Sequence, residues 1–344
     1  MEKRCFQYNK EFHLESGEIL PKLEICYHIS ADYKKSLSHK PVIWITHALT
    51  ANSDPSDWWD VLVGNGKFFD PAKYTIVCAN ILGSCYGTTG SASVNPRTGK
   101  PYMLDFPKTT IRDIVACHEL LRKEIGIQQI DLLIGGSVGG FQAIEWSIIN
   151  SSVIKNMILL ACNARITPWG NAFNESQRMA LYADRTFEKQ ERTGGKKGLA
   201  AARSIALISY RSYSGYNISQ KETNTETLFN HRAQSYQQYQ GEKLVKRFDP
   251  YSYLSMLNLT DSHNIGRTRG GVEQALKLIT ARVLCIGIDN DYLFPPQEQK
   301  YIADHVPNGE FKKITSLFGH DGFLLEWQQI QQVIELSGML QNKI

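Results

Sequence analysis

Residues 130–149 read IDLLIGGSVGGFQAIEWSII, and they give the strongest indication of the fold. The first seven residues form a short apolar run of the kind found in strands buried on both faces, and a helical pattern follows. Between them, Gly135, Ser137 and Gly139 occupy a G-x-S-x-G pattern, which in this context predicts a nucleophilic serine on a sharp turn. The turn is too tight for larger side chains two positions from the serine, and the glycines meet that need. A plain Gly/Ser turn at a strand end is the alternative interpretation.

Similar apolar runs recur along the chain, and we expect each to be a strand. They lie at residues 41–46, 74–80, 156–162, 282–288 and 311–316. Helical patterns separate them, and the one at 111–121 begins behind Thr110 and Asp113, which match a capping-box signature. This alternation predicts an α/β fold with a mostly parallel sheet flanked by helices. Together with the serine turn it predicts an α/β-hydrolase fold.

The alternation of strands and helices stops at residues 164–280, where the sequence is helical and polar. We therefore expect an inserted helical lid domain at 164–280, and a core domain formed by residues 1–163 and 281–344. Residues 164–248 contain 14 Lys/Arg and 7 Asp/Glu, whereas the whole chain carries a net charge of only +4. The positive charge is thus concentrated in the predicted lid.

The other members of a catalytic triad follow the serine in the order acid, then histidine, each after a late strand. Asp289 and Asp291 follow the run at 282–288, and His320 follows the run at 311–316. His320 is the expected general base. Position alone does not choose between the two aspartates, since Asp289 is equally suited to capping the turn.

An oxyanion hole in this fold takes one amide from the residue after the nucleophile and one from a loop after an earlier strand. The sequence predicts Val138 for the first and Leu49 for the second. His47, two residues before Leu49, is more often a structural residue than a catalytic one in such a position.

Composition excludes several other classes of function. A net charge of +4 and a pI near 8.5 are too mild for a nucleic-acid-binding protein, and no run approaches the roughly 18 apolar residues of a membrane span. We therefore expect a cytoplasmic protein without nucleic-acid or membrane partners. The seven cysteines are scattered without a metal-binding spacing, so we expect reduced thiols and no metal site.

Eight segments together resemble the homoserine O-acetyltransferase family across nearly the whole chain. They are residues 46–53, 80–102, 105–115, 135–146, 173–184, 239–254, 289–296 and 318–326. The resemblance implies acetyl transfer from acetyl-CoA, as a co-substrate, to L-homoserine through an acyl-serine intermediate, with no permanently bound cofactor. It also implies a role in methionine biosynthesis and a homodimer that forms through lid helices.

The same resemblance assigns the acid to Asp291 and the binding of the amino acid to Arg203, Tyr210 and Asp321. The chemistry is consistent, because homoserine is a zwitterion whose carboxylate suits a guanidinium and whose ammonium suits a carboxylate. A transferase that uses succinyl-CoA or serine, a serine esterase and a non-catalytic binding protein are the alternatives. The chain departs from the family at Ser91, at Val138 and in the short basic stretch 185–199, and the first two are expected near the acyl site.

Overall fold

The computed structural model describes residues 1–34 and 40–340, so residues 35–39 and 341–344 of the expected core domain lie outside the described residues. The strands are β1 Glu2–Tyr8, β2 Phe12–His13, β3 Ile19–Leu20, β4 Leu23–Ile29, β5 Val42–Thr46, β6 Thr75–Ala79, β7 Ile130–Gly136, β8 Ile154–Leu160, β9 Arg282–Ile288 and β10 Gly309–Ile314. The helices are α1 Pro55–Trp58, α2 Ile111–Ile125, α3 Val138–Ile149, α4 Pro168–Ala183, α5 Lys196–Tyr210, α6 Tyr213–Ser219, α7 Arg232–Val245, α8 Pro250–Asp261, α9 Val272–Leu276, α10 Pro296–His305, α11 Gly322–Leu325 and α12 Trp327–Ser337. Single turns of 3₁₀ helix occur at Met103–Asp105, Ser151–Val153, Phe187–Lys189 and Gly319–Asp321.

Eight of the strands form one sheet in the order β1-β4-β6-β5-β7-β8-β9-β10. Pairing is parallel from β6 through β10 and antiparallel only where β4 meets β1 and β6. The six runs that predict strands all contain one, so the predicted mostly parallel sheet is confirmed. The carboxyl ends of the parallel strands meet at one edge, where ligands bind in open α/β sheets.

The sheet buries apolar side chains on both faces. Along β5, Trp44 belongs to one core cluster while Ile43 and Ile45 belong to the other. Helices α2, α3 and α10 cover the first face, and α12 covers the second. Helix α2 begins with the predicted capping box, in which Thr110 and Asp113 bond reciprocally. The predicted helices on both faces are therefore confirmed.

Between β8 and β9, residues 161–281 are all described and contain helices α4–α9 but no strand. Helix α5 packs against α4, α7 and α8. Among the described helices, none has the length and apolar composition that a bilayer crossing requires.

The amino-terminal strands correct one expectation. Cys5 and Cys26 are directly opposite each other in the antiparallel β1–β4 pair, with Cα atoms 4.1 Å apart, and they form a disulfide. The expectation that every cysteine is a reduced thiol is therefore wrong. A spacing of 21 residues carries no motif, and without the pairing of these two strands nothing in the sequence brings the thiols together. The remaining five cysteines are free.

Candidate active site

Ser137 stands at the turn between β7 and α3, with backbone angles φ 56° and ψ −126°. This region is disfavoured for a residue with a side chain, and such strain concentrates at functional sites. The turn requires glycine on both sides: a Cβ at Gly135 would collide with the Thr46 hydroxyl, and one at Gly139 would collide with the Thr46 carbonyl oxygen. Close packing of β5 against the start of α3 therefore explains the G-x-S-x-G pattern.

The structure brings Ser137, His320 and Asp291 into one hydrogen-bonded chain. The Nε2 atom of His320 lies 2.9 Å from the Ser137 Oγ, and its Nδ1 lies 2.7 Å from the Asp291 Oδ2. Asp291 is 2% exposed, and its other oxygen accepts hydrogen bonds from the Leu293 and Phe294 amides, both at 2.9 Å. A carboxylate that accepts from Nδ1–H leaves Nε2 free to take the serine proton.

Asp289, the other aspartate of this turn, lies away from the histidine. Its side chain is exposed and accepts hydrogen bonds from the Ser316 amide and the Asn290 side chain. The geometry thus places Asp291 beside His320. Asp289 instead joins the segment after β9 to the segment after β10.

The electrostatics of His320 suit a general base. Burial alone would lower its pKa, but the charge and hydrogen bond of Asp291, with a further contribution from Asp321, raise the pKa above the ordinary value of 6.5. The imidazolium that forms when Ser137 loses its proton is therefore stabilised.

The two expected oxyanion donors, the Leu49 and Val138 amides, flank Ser137. Within residues 1–34 and 40–340, neither amide has a hydrogen-bond partner in the protein. His47 has structural contacts: its Nδ1 donates to the Ala48 carbonyl, and its Nε2 accepts from the Ile81 amide at 3.1 Å. Burial lowers the pKa of His47 to about 4, so the ring is neutral.

A cavity of about 560 Å³ opens over the triad and is lined by Ser137, His320, Leu49 and all three residues expected to hold the amino acid. The Arg203 guanidinium lies 5.4 Å from the ring centroid of Tyr210, and that ring lies 5.7 Å from the His320 ring. In the described part of the chain, Arg203 makes no hydrogen bond or ion pair. Its charge is free for a ligand in the cavity.

Asp321, in contrast, already has a partner that the sequence interpretation missed. Arg211 forms an ion pair with its carboxylate, and the other terminal nitrogen of Arg211 donates to the Tyr236 hydroxyl at 3.1 Å. Arg211 directly follows Tyr210 in the chain, and this adjacency was the one available signal. Asp321 therefore faces the cavity with one oxygen held.

Two basic side chains, Lys243 and Arg247, also line this cavity. Arg247 donates to the Thr50 carbonyl oxygen and, at 2.7 Å, to the Tyr86 hydroxyl. These bonds join the end of α7 to the loop that carries Leu49. Asp57 lines the cavity as well, and the two basic side chains leave a net positive charge beside it.

Two other features lie outside the triad cavity. A larger cavity of about 970 Å³, beside α9 and α10, has no triad residue in its lining. Ser91 is fully buried, its hydroxyl is 3.1 Å from that of Ser255, and it does not line the triad cavity. That Ser91 lies near the acyl site therefore stays a prediction.

Comparison with known proteins gives consistent results. Residues 41–326 match the family model of the alpha/beta hydrolase fold. The chain is 43% identical to the homoserine O-acetyltransferase of Cyclobacterium marinum, over 99% of this chain and 96% of that protein. It is 37% identical to the homoserine O-acetyltransferase of Chlorobium chlorochromatii, over 95% and 92% of the two chains.

Solved structures extend the similarity to the fold. The crystal structure of homoserine O-acetyltransferase from Staphylococcus aureus superimposes with a TM-score of 0.80 at 29% identity, covering 100% of this chain and 97% of the other. The esterase E22 superimposes with a TM-score of 0.86 at 24% identity, over 97% and 98% of the two chains. At that identity the esterase shows the shared fold alone, so the chemistry must be judged from the site.

Proposed function

The chain belongs to the homoserine O-acetyltransferase family of the α/β hydrolases, and we propose that it transfers the acetyl group of acetyl-CoA to the hydroxyl of L-homoserine. The observation that carries the proposal is the presence of an unpaired guanidinium, Arg203, in the same cavity as the triad. A water-using esterase has no need of such a group, whereas an amino-acid acceptor brings a carboxylate to pair with it. The product, O-acetylhomoserine, fits a step of methionine biosynthesis.

In the first half-reaction, His320 accepts the proton of Ser137 while the serine oxygen attacks the thioester carbonyl of acetyl-CoA. The Leu49 and Val138 amides stabilise the oxyanion of the tetrahedral intermediate. Collapse of that intermediate breaks the carbon–sulfur bond, and the thiolate leaves with the proton from His320. An acetyl-serine remains, as a ping-pong mechanism requires.

In the second half-reaction, His320 takes the proton of the homoserine hydroxyl, and the resulting alkoxide attacks the acetyl-serine. The new ester forms as the bond to Ser137 breaks, and the serine oxygen recovers its proton from His320. Arg203 binds the carboxylate of the acceptor, and Asp321 binds its ammonium through the oxygen that Arg211 does not hold. Tyr210 packs between Arg203 and the His320 ring and shapes this end of the cavity.

The basic side of the cavity suits the phosphates of CoA. Lys243 supplies a flexible point charge, and Arg247 has a further guanidinium face beyond its bonds to Thr50 and Tyr86. Long-range attraction by the excess positive charge of residues 164–248 would add to this by steering the anion.

We further propose that residues 164–280 form a lid domain over the core and that the lid carries a homodimer interface. Supporting this, large apolar side chains are exposed on its helices, where a soluble monomer rarely collects so many. They include Trp169, Met179, Ile208, Tyr213 and Ile218. Cytoplasmic residence is proposed because acetyl-CoA is an intracellular metabolite. The Cys5–Cys26 disulfide is atypical of a reducing compartment.

The decisive experiment is an assay of the purified protein with acetyl-CoA or succinyl-CoA, each against homoserine or serine, that follows the release of free thiol. We expect rapid release only with acetyl-CoA and homoserine, and none with a Ser137→Ala variant. Preference for succinyl-CoA or serine would reassign the donor or acceptor. Equal thiol release with and without any acceptor would instead indicate a hydrolase.

A further inference from the structure

The oxyanion hole is assembled from two segments that the main chain does not join. In the described ranges, no backbone–backbone hydrogen bond connects residues 47–49 with residues 137–139. Strand pairing between β5 and β7 ends at Thr46 and Gly135, just before both donors. Oxyanion stabilisation depends on donors placed within a few tenths of an ångström of the developing charge, so side chains must fix the separation of the two segments. The Thr46 hydroxyl joins them at the end of β5 by donating to the Gly139 carbonyl oxygen at 2.8 Å, but the loop that carries Leu49 lies beyond it.

Gln142, on the second turn of α3, bridges this gap. Its side chain is fully buried, and Nε2 donates to the His47 carbonyl oxygen at 3.0 Å and to the Val138 carbonyl oxygen at 3.2 Å. No other hydrogen bond to the His47 carbonyl occurs in the described part of the chain. One amide group therefore connects the loop of the first donor to the residue of the second.

A histidine holds the other end of that amide. The Oε1 atom of Gln142 lies 3.0 Å from the Nε2 of His118. Since backbone carbonyl oxygens can only accept, the NH₂ end must face His47 and Val138, so Oε1 faces His118 and accepts from Nε2–H. Burial lowers the pKa of His118 to about 4, so the ring is neutral and holds its one proton at that nitrogen.

His118 is itself held by aromatic packing. Its ring stacks on Trp146, with centroids 5.2 Å apart, and meets Trp44 edge-on at 6.0 Å. The Nδ1 atom of His118 is buried without a hydrogen-bond partner in the described residues, so the contact with Gln142 is its only side-chain hydrogen bond. Burying the His118 ring costs free energy because its Nδ1 has no partner among the described residues, and an apolar ring would pack in this place without that cost.

We propose that Gln142 is a positioning residue that holds the Leu49 and Val138 amides at the separation an oxyanion requires, with His118 fixing its orientation. This inference deepens the proposed function, on which it rests for the identity of the oxyanion.

The test uses p-nitrophenyl acetate, which acylates Ser137 without acetyl-CoA or homoserine, so a failure of the acceptor or donor assignment does not affect it. In Gln142→Met, the side chain keeps its length but loses all three hydrogen bonds, to His47, Val138 and His118. We expect the single-turnover acylation rate to fall 10- to 100-fold while the half-saturating ester concentration changes less than threefold. Loss of a whole oxyanion donor costs about 10²- to 10³-fold, and a displaced pair of donors should cost less.

A second readout separates positioning from a general loss of structure. A trifluoromethyl ketone forms a tetrahedral oxyanion adduct on the serine, so its inhibition constant should rise by the same factor as the acylation rate falls. Gln177→Met, on α4, is the matched control, because Gln177 is also buried, donates to the carbonyl oxygen four residues earlier, that of Phe173, and accepts from a buried ring, at the Tyr253 hydroxyl. That variant should stay within threefold on both measurements.

His118→Phe provides an independent variant that fits the same aromatic surroundings. We expect it to slow acylation three- to tenfold, and the double variant to be no slower than Gln142→Met alone, because both changes act through one amide. If Gln142→Met does not fold, a folded His118→Phe variant with the wild-type rate overturns the proposal. Equal slowing by Gln142→Met and Gln177→Met also overturns it, as does an unchanged inhibition constant or full additivity in the double variant.

Discussion

Replacing Asp291 with asparagine should lower kcat about 10⁴-fold, through a reversal of the His320 tautomer. The Asp291 Oδ1 accepts two backbone amides, so an asparagine must keep its carbonyl oxygen there and turn its NH₂ towards His320. An NH₂ group only donates, so the Nδ1 of His320 must lose its proton and Nε2 must keep it. Nε2 then faces the Ser137 Oγ, 2.9 Å away, as a donor and cannot act as the base.

The expected size of the loss follows the effect of such a reversal in a serine triad, about 10⁴-fold in kcat or roughly 5 kcal/mol. Asp289→Asn is the matched control, since asparagine can keep the bond from the Ser316 amide, and its kcat should stay within threefold. The assay is thiol release from acetyl-CoA across pH. Wild type should lose kcat/KM on the acid side with a pKa above 6.5, because the neutral form of His320 is the base. An Asp291→Asn variant that kept its kcat within tenfold of wild type would contradict the assigned tautomer, as would a larger loss in Asp289→Asn than in Asp291→Asn.

Three further predictions concern the cavity and the buried histidines. Arg203→Leu should raise KM for homoserine about 100-fold yet leave p-nitrophenyl acetate acylation within threefold; equal losses on both would make Arg203 structural. Lys243→Gln should raise KM for acetyl-CoA about threefold and flatten its increase with salt, and a wild-type salt dependence would exclude a phosphate contact there. Denaturant titrations should show the free energy of unfolding falling as the pH drops from 6.5 towards 4, by up to about 4 kcal/mol per pH unit. The reason is that three buried histidines bind a proton in this range when the chain is unfolded but stay neutral in the folded protein. Burial lowers their pKa values to about 4: His47, His118 and His263. A pH-independent stability in that range would contradict the assignment of neutral rings.

The parallel sheet could be predicted from sequence because its signal is local. Strands buried on both faces appear in the sequence as continuous apolar runs. The tight turn at Ser137 admits only glycine at two positions, and this requirement appears in the sequence as the G-x-S-x-G pattern. The antiparallel strand β1 was missed because most of it is exposed and polar residues interrupt it. Strand β4 is largely buried, but Glu24 and His28 interrupt its apolar run. The disulfide of Cys5 was missed with them, since it depends on that strand pairing.

The site was harder to predict from the sequence, because the choice among candidate residues depends on contacts between residues that are distant in the chain. Asp289 and Asp291 are two residues apart on one turn, and only the direction of their side chains separates them. Gln142 lies within residues 130–149, from which the fold was predicted, yet its partner His47 is 95 residues away in the chain and His118 is 24 residues away. No periodicity or motif expresses such contacts.

The pairing of Asp321 with Arg211 changes how the cavity should select its acceptor. The two charges largely cancel, since the carboxylate and the guanidinium are in direct contact and are 18% and 20% exposed. Arg203 remains as an uncompensated positive charge on the same wall. We therefore expect the cavity to bind the carboxylate of an amino acid more strongly than its ammonium, and an acceptor without a carboxylate to be the poorer substrate. The Arg203 guanidinium is half-buried over the Tyr210 ring, and a carboxylate ligand would add the ion pair that it lacks among the described residues. In the proposed function this charge, rather than the triad that esterases share, suits the cavity to an amino acid.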